Sequence, residues 1–485
     1  MQSILPVLAI LGGIVMMFAV AMLVPLAFAF FGHDAALGAY DEAIAITFAV
    51  GLVLFLACRR FKRELQPRDG FLLVSLVWTV LPAFGALPLM VFIPGLSFTD
   101  AYFEAVSGLT TTGATVLTGL DALPTSINVW RCFMVLIGGM GILVLAVAIL
   151  PLLGVGGSQL FKAETPGPMK DQKLTPRIAE TARGLWAVYF AIALACFFAF
   201  HVAGMGWADA FMHMCSTMGL GGFAAYDASF GFFNSPAIEA VAIVFMMIAG
   251  VNFALYFVAW RQRSLAAVWR DSEARLFVAT MVVSVLAIAA FLSAHQVYPT
   301  FAESLRHASF NVVSIATTTG FATVDYAQWP VFAPISMLFL CCFATCAGST
   351  GGGIKMIRAI LLLKGARREL KRIVHPRAVV PVKLGNATVD AQVLSSVLAF
   401  MLFYGAVMVA ATMLLLFTGL DVVTAFTAVV ACINNTGPGL GQVGPSTTYQ
   451  GLSDFQTWVC SITMLLGRLE LFSILVLLTA SFWRK

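Results

Sequence analysis

The sequence predicts an all-α membrane protein of ten transmembrane helices, two at the N-terminus and then four repeated units of helix, re-entrant loop and helix. Three observations predict it. Of 485 residues, 60% are hydrophobic and 11% charged, with a mean hydropathy of +0.95, whereas a soluble domain carries about 25% charged residues. Glycine- and threonine-rich turns recur about a hundred residues apart, and spacing of that kind marks a repeat architecture. Each turn follows an apolar segment too short to cross roughly 30 Å of hydrocarbon. The composition excludes a soluble enzyme, a disordered chain and a secreted disulfide scaffold.

Residues 1–70 hold the two N-terminal helices, Ile4–Phe31 and Ala43–Cys58. The first lacks a basic leader and is too long for a signal-peptide core, so it is expected to remain as a span. All but three of the 28 Lys and Arg residues fall in five short segments: 59–68, 162–183, 261–275, 355–383 and 484–485. Cytoplasmic loops collect Lys and Arg in this way, which puts these segments and both ends of the chain inside. Asp34, Asp100, Asp209, Asp325 and Asp421 lie in the intervening loops, where an acidic outer face concentrates cations. Lys364, Lys371 and Arg372 fit this topology and also contact with anionic membrane lipids or a partner. No basic face is left for nucleic acid. Nine cysteines, with no C-x-x-C pair, read as packing residues of apolar helices.

The four units are assigned to residues 71–160, 161–262, 263–385 and 386–485. Their turns read Thr110-Thr-Thr-Gly113, Gly219-Leu-Gly-Gly222, Thr317-Thr-Thr-Gly320 and Asn434-Asn-Thr-Gly437. Upstream of each glycine stand Ser107, Ser216, Ser314 and, breaking the pattern, Ala431. Downstream, a glycine recurs as Gly139, Gly250, Gly348 and Gly467. Segments such as Phe98–Leu109 and Leu420–Ile433 suit re-entrant half-helices, because full crossings would put successive basic loops on opposite sides. Non-helical backbone at membrane depth is tolerated only where protein buries it or it lines a water-filled path. The expectation is therefore four pseudo-symmetric helix–pore loop–helix units around a central pore. Inward carbonyls can replace the hydration shell of a cation, and half-helix C-termini add negative potential. Ion contacts are assigned to the C=O groups of Thr111, Thr112, Leu220, Gly221, Thr318, Thr319, Asn435 and Thr436. Gly113, Gly222, Gly320 and Gly437 close the turns.

The second helix of the third unit, expected from about Pro334 to Leu363, is interrupted at Ala347–Gly353. Gly348, Ser349, Thr350, Gly351, Gly352 and Gly353 cannot hold a stable helix. A phosphate-binding reading of Gly348 to Lys355 fails, because Ile354 intrudes, Met356 replaces Ser or Thr, and no strand precedes it. Arg131, Arg306 and Arg468 lie outside the basic segments. Arg468, expected in the middle of a span over Phe455–Phe482, is a functional candidate because a charge there is costly. The competing reading ties it to Glu470 or Glu104. Arg306 and Arg131 are expected to orient helices or to snorkel to water.

At these residues the sequence resembles the Trk/Ktr/HKT superfamily of potassium transporters, and within it the TrkH family. The resemblance also rests on Gly138-Gly-Met-Gly-Ile142, Phe161-Lys-Ala-Glu-Thr-Pro-Gly-Pro168, Lys173-Leu-Thr-Pro-Arg177, Gly250-Val-Asn-Phe253, Gly348 to Lys355 and Gly467-Arg-Leu-Glu470. It implies K⁺ bound in the filter, with Rb⁺ as a surrogate, because all four filter positions are glycine. It further implies a bacterial inner-membrane homodimer with one pore per subunit and no organic cofactor. A cytosolic TrkA-like nucleotide-binding ring would gate it. The resemblance makes Gly348–Gly353 with Lys355 the gating loop and places Arg468 in the cavity beneath the filter. Thr345 and Leu220 depart from the family pattern. Two transport readings stay open, a gated channel-like pore and a symporter coupling K⁺ to H⁺ or Na⁺. Symporters favour inverted repeats, whereas these units share one orientation. No nucleophile–base or metal constellation points to an enzyme.

Overall fold

A computed structural model describes residues 4–61, 66–148, 178–384 and 387–484. The motifs at 161–168 and 173–177 lie outside the described residues. The first apolar stretch forms α1 (Leu5–Ala21) and α2 (Leu23–Gly32), and α1 packs on α3 (Leu37–Cys58). Glycine permits that approach: a Cβ on Gly12 would lie 2.8 Å from Gly51 O, and one on Gly51 would lie 2.9 Å from Met16 N. Small residues at such contacts let membrane helices close on each other without a hydrophobic driving force.

The stretch assigned to the first unit forms α4 (Pro67–Gly85), the short α5 (Leu87–Phe92), α6 (Phe98–Leu109) and α7 (Thr125–Ala148). The second comprises α8 (Ile178–Val202), α9 (Trp207–Gly219), α10 (Pro236–Ala249) and α11 (Phe253–Gln262). Next come α12 (Ser272–Ala294), α13 (Phe301–Ala316), α14 (Phe332–Phe343) and α15 (Met356–Val374). The last are α16 (Ala391–Phe417), α17 (Val422–Ile433) and α18 (Asp454–Arg468). A two-residue antiparallel pairing, Lys383↔Thr388 and Leu384↔Ala387, is the strand structure among the described residues.

Helices α6, α9, α13 and α17 have 12, 13, 16 and 12 residues, so each reaches only part way across a bilayer. Three of them start on a side-chain cap. Ser97 Oγ accepts from Asp100 N–H, Thr300 Oγ1 from Glu303 N–H, and Asp421 Oδ2 from Thr424 N–H at 2.9 Å. Caps of this kind stabilise a helix by about 1 kcal/mol. The Thr424 N–H also holds the Asp421 carboxyl below the usual carboxylate range.

Among the described residues, seven helices are long and apolar enough to cross a membrane, or nine if each of two sharply bent pairs is one span. The bent pairs are α10 with α11, at 89°, and Asp454–Arg468 with Phe472–Leu478, at 104°. The expectation of a single broken second helix is corrected here: those of the second, third and fourth units all break. Only the third has a glycine run. The others break where tertiary contacts take over the backbone.

Polarity runs inside out relative to a soluble protein. Val53, Leu194, Val283, Leu402 and Phe417 are exposed on the outer faces, as lipid-facing residues should be. Thr111, Thr318, Asn434 and Asn435 are fully buried at the centre. Buried polar groups usually need partners; Thr318 Oγ1, Asn434 and the Asn435 amide nitrogen find them in the site, while Thr111 Oγ1 and Asn435 Oδ1 have none among the described residues.

Candidate functional site

Each of the four short helices α6, α9, α13 and α17 ends in the same hydrogen bond. Thr112 N–H donates to Ser107 O at 2.8 Å, Gly221 to Ser216 at 3.0 Å, Thr319 to Ser314 at 2.8 Å and Thr436 to Ala431 at 2.8 Å. The residue before each donor is left-handed: Thr111 (φ +55°), Leu220 (+53°), Thr318 (+61°) and Asn435 (+54°). This is a Schellman-type C-cap, so the bond uses the backbone of the Ser/Ala position. That explains why Ala431 can stand where serine is the rule.

The glycines then pack loop against loop in a closed ring. A Cβ on Gly113 would lie 2.8 Å from Gly222 N, and one on Gly222 would lie 2.5 Å from Thr319 O. Gly320 presses on Thr436 O, and a Cβ on Gly437 would lie 2.7 Å from Thr112 O. Loops 1, 2, 3 and 4 therefore meet in order and return to loop 1, and any side chain at these glycines collides with backbone. Gly113, Gly320 and Gly437 are also left-handed (φ +81°, +89°, +95°), whereas Gly222 is not. One carbonyl assigned to the ion, Thr319 O, accepts a hydrogen bond from Gly222 N–H. Side chains brace the ring: Thr110 to Thr112 at 2.7 Å, Thr317 to Thr319 at 2.8 Å, and Asn435 Nδ2 donating to Thr112 Oγ1 at 3.0 Å. A cavity of about 310 Å³ adjoins the ring, lined by Gly113, Gly222, Gly320, Gly437 and Tyr449 among others. The four helix C-termini run into this ring, and the negative ends of their dipoles suit a cation.

Between α14 and α15 the third unit breaks over 344–355, a longer gap than the expected Ala347–Gly353. The break is tied to the second, third and fourth units. Cys346 N–H donates to Gly250 O at 3.1 Å and Phe253 N–H to Gly348 O at 3.0 Å, which joins the break to the bend of the second unit. Thr350 Oγ1 donates to Met218 O at 3.0 Å, and Gly352 N–H donates to Thr318 Oγ1 of the third turn at 2.9 Å. Thr345 Oγ1 donates to Gly352 O, and Ser349 Oγ to Cys346 O, at 2.7 Å each. Gly351 O accepts from Lys355 Nζ. Gly353 packs against Cys341 O and Cys342 O.

Arg468 reaches this loop from the fourth unit. Its Nη1 donates to Thr350 O at 2.9 Å and its Nη2 to Gly138 O of the first unit at 3.0 Å. One guanidinium thus joins the loop to the first unit. The expected unbroken span over Phe455–Phe482 is corrected, because Arg468, near its middle, closes α18, where the chain turns sharply and Glu470 and Leu471 are left-handed. The proposed partners are corrected too. Glu104 pairs with Arg131 at 2.8 Å and Glu470 with Arg358 at 2.7 Å. Arg131 is fully buried and does not snorkel to water. Arg306 is partly exposed and pairs with Glu239 at 2.6 Å, tying the third re-entrant helix to α10. Lys355 and Arg358 are buried rather than solvated loop charges, and Arg358 also lies over Phe400 at 4.1 Å.

Sequence reasoning missed Glu273, whose Oε1 accepts from Ala347 N–H at 2.9 Å and Ile357 N–H at 3.1 Å, clamping both sides of the break. Its place at the start of an apolar helix beside Asp271 reads as capping chemistry and gave no other signal. The recurring downstream glycine also resolves into different roles. Gly139 packs against Gly219 at the end of α9 and Gly467 presses on Ile433 O, the last carbonyl of α17, while Gly250 and Gly348 sit in helix breaks.

The sequence profile of the family TrkH, described as cation transport protein, matches residues 39–485. The chain is 46% identical over 477 residues to the Trk system potassium uptake protein TrkH of Salmonella typhimurium, covering 98% of each. Identity is 46% over 489 residues to the protein of the same name from Halomonas elongata, covering 100% of each. Among solved structures, the potassium transporter TrkH from Vibrio parahaemolyticus superposes with a TM-score of 0.92 at 43% identity, covering 100% of both chains. The four interlocked turns and the tethered break thus sit on a chain that belongs to the TrkH family of cation transport proteins.

Proposed function

We propose that this protein takes up K⁺ across the bacterial inner membrane through a channel-like, K⁺-selective pore. The observation that carries the reading is the closed ring of four left-handed turns, built on the C-termini of four half-helices and adjoining a cavity. A ring of backbone oxygens favours a cation that sheds its water at little cost, and its spacing discriminates by size or coordination number. Relatives named as Trk system potassium uptake proteins supply the substrate.

In this reading the fold has ten spans: two N-terminal helices and four pseudo-symmetric units. The tenth span is the broken helix containing Phe332–Phe343. The loop 344–355 with Lys355 and Arg468 is the gate. Arg468 keeps its charge under physiological conditions, opposes cations below the ring and holds Thr350 O in place. The active form is a homodimer, and a cytosolic TrkA-like ring moves the gate by binding nucleotide. Both termini are cytoplasmic.

Purified protein in planar bilayers under a K⁺ gradient tests the reading. Unitary currents that reverse near the K⁺ equilibrium potential are expected. K⁺ flux that occurs only with a stoichiometric H⁺ or Na⁺ gradient, without unitary currents, overturns it in favour of symport.

A further inference from the structure

We propose that Glu104 and Arg131 are a positioning pair that sets cation selectivity by locking the first filter loop to the second where both leave the ring. The inference rests on the pore reading above. Glu104 lies on α6 and Arg131 on α7, both fully buried, with Nε to Oε1 at 2.8 Å. Arg131 Nη1 donates to Ala224 O, just beyond Gly222, at 3.1 Å, and to Asn128 Oδ1 at 3.1 Å. Its guanidinium lies over Phe223, 4.4 Å from the ring centroid. On the other side, Glu104 accepts from Thr115 Oγ1 at 2.9 Å and from Val116 N–H at 3.0 Å, just beyond Gly113. Thr115 Oγ1 also lies 3.3 Å from Arg131 Nη2, so one hydroxyl touches both charges.

Neighbouring exits are held by neutral groups. Gly231 N–H donates to Ala322 O between loops 2 and 3, and Tyr449 N–H donates to Thr115 O between loops 4 and 1. Arg306 pairs instead with Glu239 and Asn234. A buried ion pair is a weak source of stability, because desolvation offsets the Coulombic gain. What this pair supplies is geometry: a charged, multiply bonded strut is stiffer than a lone neutral bond. It also balances charge. Arg131 lines the cavity beside the ring, so Glu104 cancels a positive charge at the cation entrance.

The test is the K⁺/Na⁺ permeability ratio in proteoliposomes, which does not depend on how much protein folds. Glu104→Gln keeps the shape and is expected to lower the ratio about threefold or more, a typical coupling for groups in one network. It should also lower flux, because Arg131 is then unbalanced. Adding Arg131→Met should restore flux but not the ratio, and Arg131→Lys should be intermediate. If Glu104→Gln fails to fold, Thr115→Val decides, since it removes only the shared hydroxyl; a smaller fall in the ratio is expected. An unchanged ratio in the folded variants overturns the proposal. Gly113→Ser is measured alongside. If it shifts the ratio while Glu104→Gln and Thr115→Val do not, this inference alone fails, and if none shifts it, the pore reading fails.

Discussion

A left-handed backbone at threonine, leucine or asparagine costs about 1–3 kcal/mol, yet the ring repeats it at Thr111, Leu220, Thr318 and Asn435. The strain persists because each turn is fixed from two sides, by its own helix cap and by the next loop. Gly113 stands at such a contact, with Gly222 N 2.8 Å from where its Cβ would be. Gly113→Ser is therefore expected to push the two loops apart and to lower the K⁺/Na⁺ permeability ratio, by about tenfold if ~1.4 kcal/mol of discrimination is lost. Reversal potentials in mixed K⁺/Na⁺ solutions measure it, and an unchanged ratio removes Gly113 from the filter. The four glycines were legible in the sequence because each follows a threonine or a second glycine in a recurring turn, which is a local signal. The left-handed residue before each donor was not, since Thr, Leu and Asn carry no common mark. Nor was the ring order, which exists only once distant turns touch.

Helix breaks show the same division between local and tertiary causes. The glycine run at Gly348–Gly353 announces itself by propensity alone. The bends at Gly250 and Leu469 do not: one glycine, or a Leu-Glu-Leu stretch, costs a helix too little. They form because Gly250 O is taken by Cys346 N–H, and because Arg468 and Glu470 turn toward Thr350 O and Arg358. The third-unit loop and the fourth-unit bend thus act as one element. Arg468→Ala should raise basal Rb⁺ uptake into proteoliposomes, and so should deletion of 347–353. Combining them should add little, which is the mark of groups that share an element. Arg468→Lys, which keeps the charge but loses the planar fork, should fall between. Fully multiplicative effects would show that arginine and loop act independently. A deletion that folds yet conducts less would make the loop a support for the pore.

At the scale of the whole molecule, the all-α membrane class was readable because bulk apolarity and the placement of basic residues depend on the bilayer rather than on packing detail. The ring is a different kind of feature, since no unit contains it. Gly113 needs Gly222, Gly222 needs Thr319, Gly320 needs Thr436 and Gly437 needs Thr112. A cation held by this ring binds only when all four units are docked, so binding free energy becomes folding free energy. K⁺ at about 100 times its dissociation constant should stabilise the folded protein by about 2.7 kcal/mol. Thermal unfolding in detergent should therefore shift upward in K⁺ or Rb⁺ relative to N-methylglucamine, with Na⁺ at equal ionic strength giving a smaller shift. Gly113→Ser should abolish the difference between K⁺ and Na⁺. Arg468→Ala should retain it, because that side chain contacts the loop beneath the ring and leaves the ring contacts in place. Equal shifts in K⁺ and Na⁺ for the unmodified protein would mean that the ring holds no selective site, and discrimination would then have to arise elsewhere along the pore.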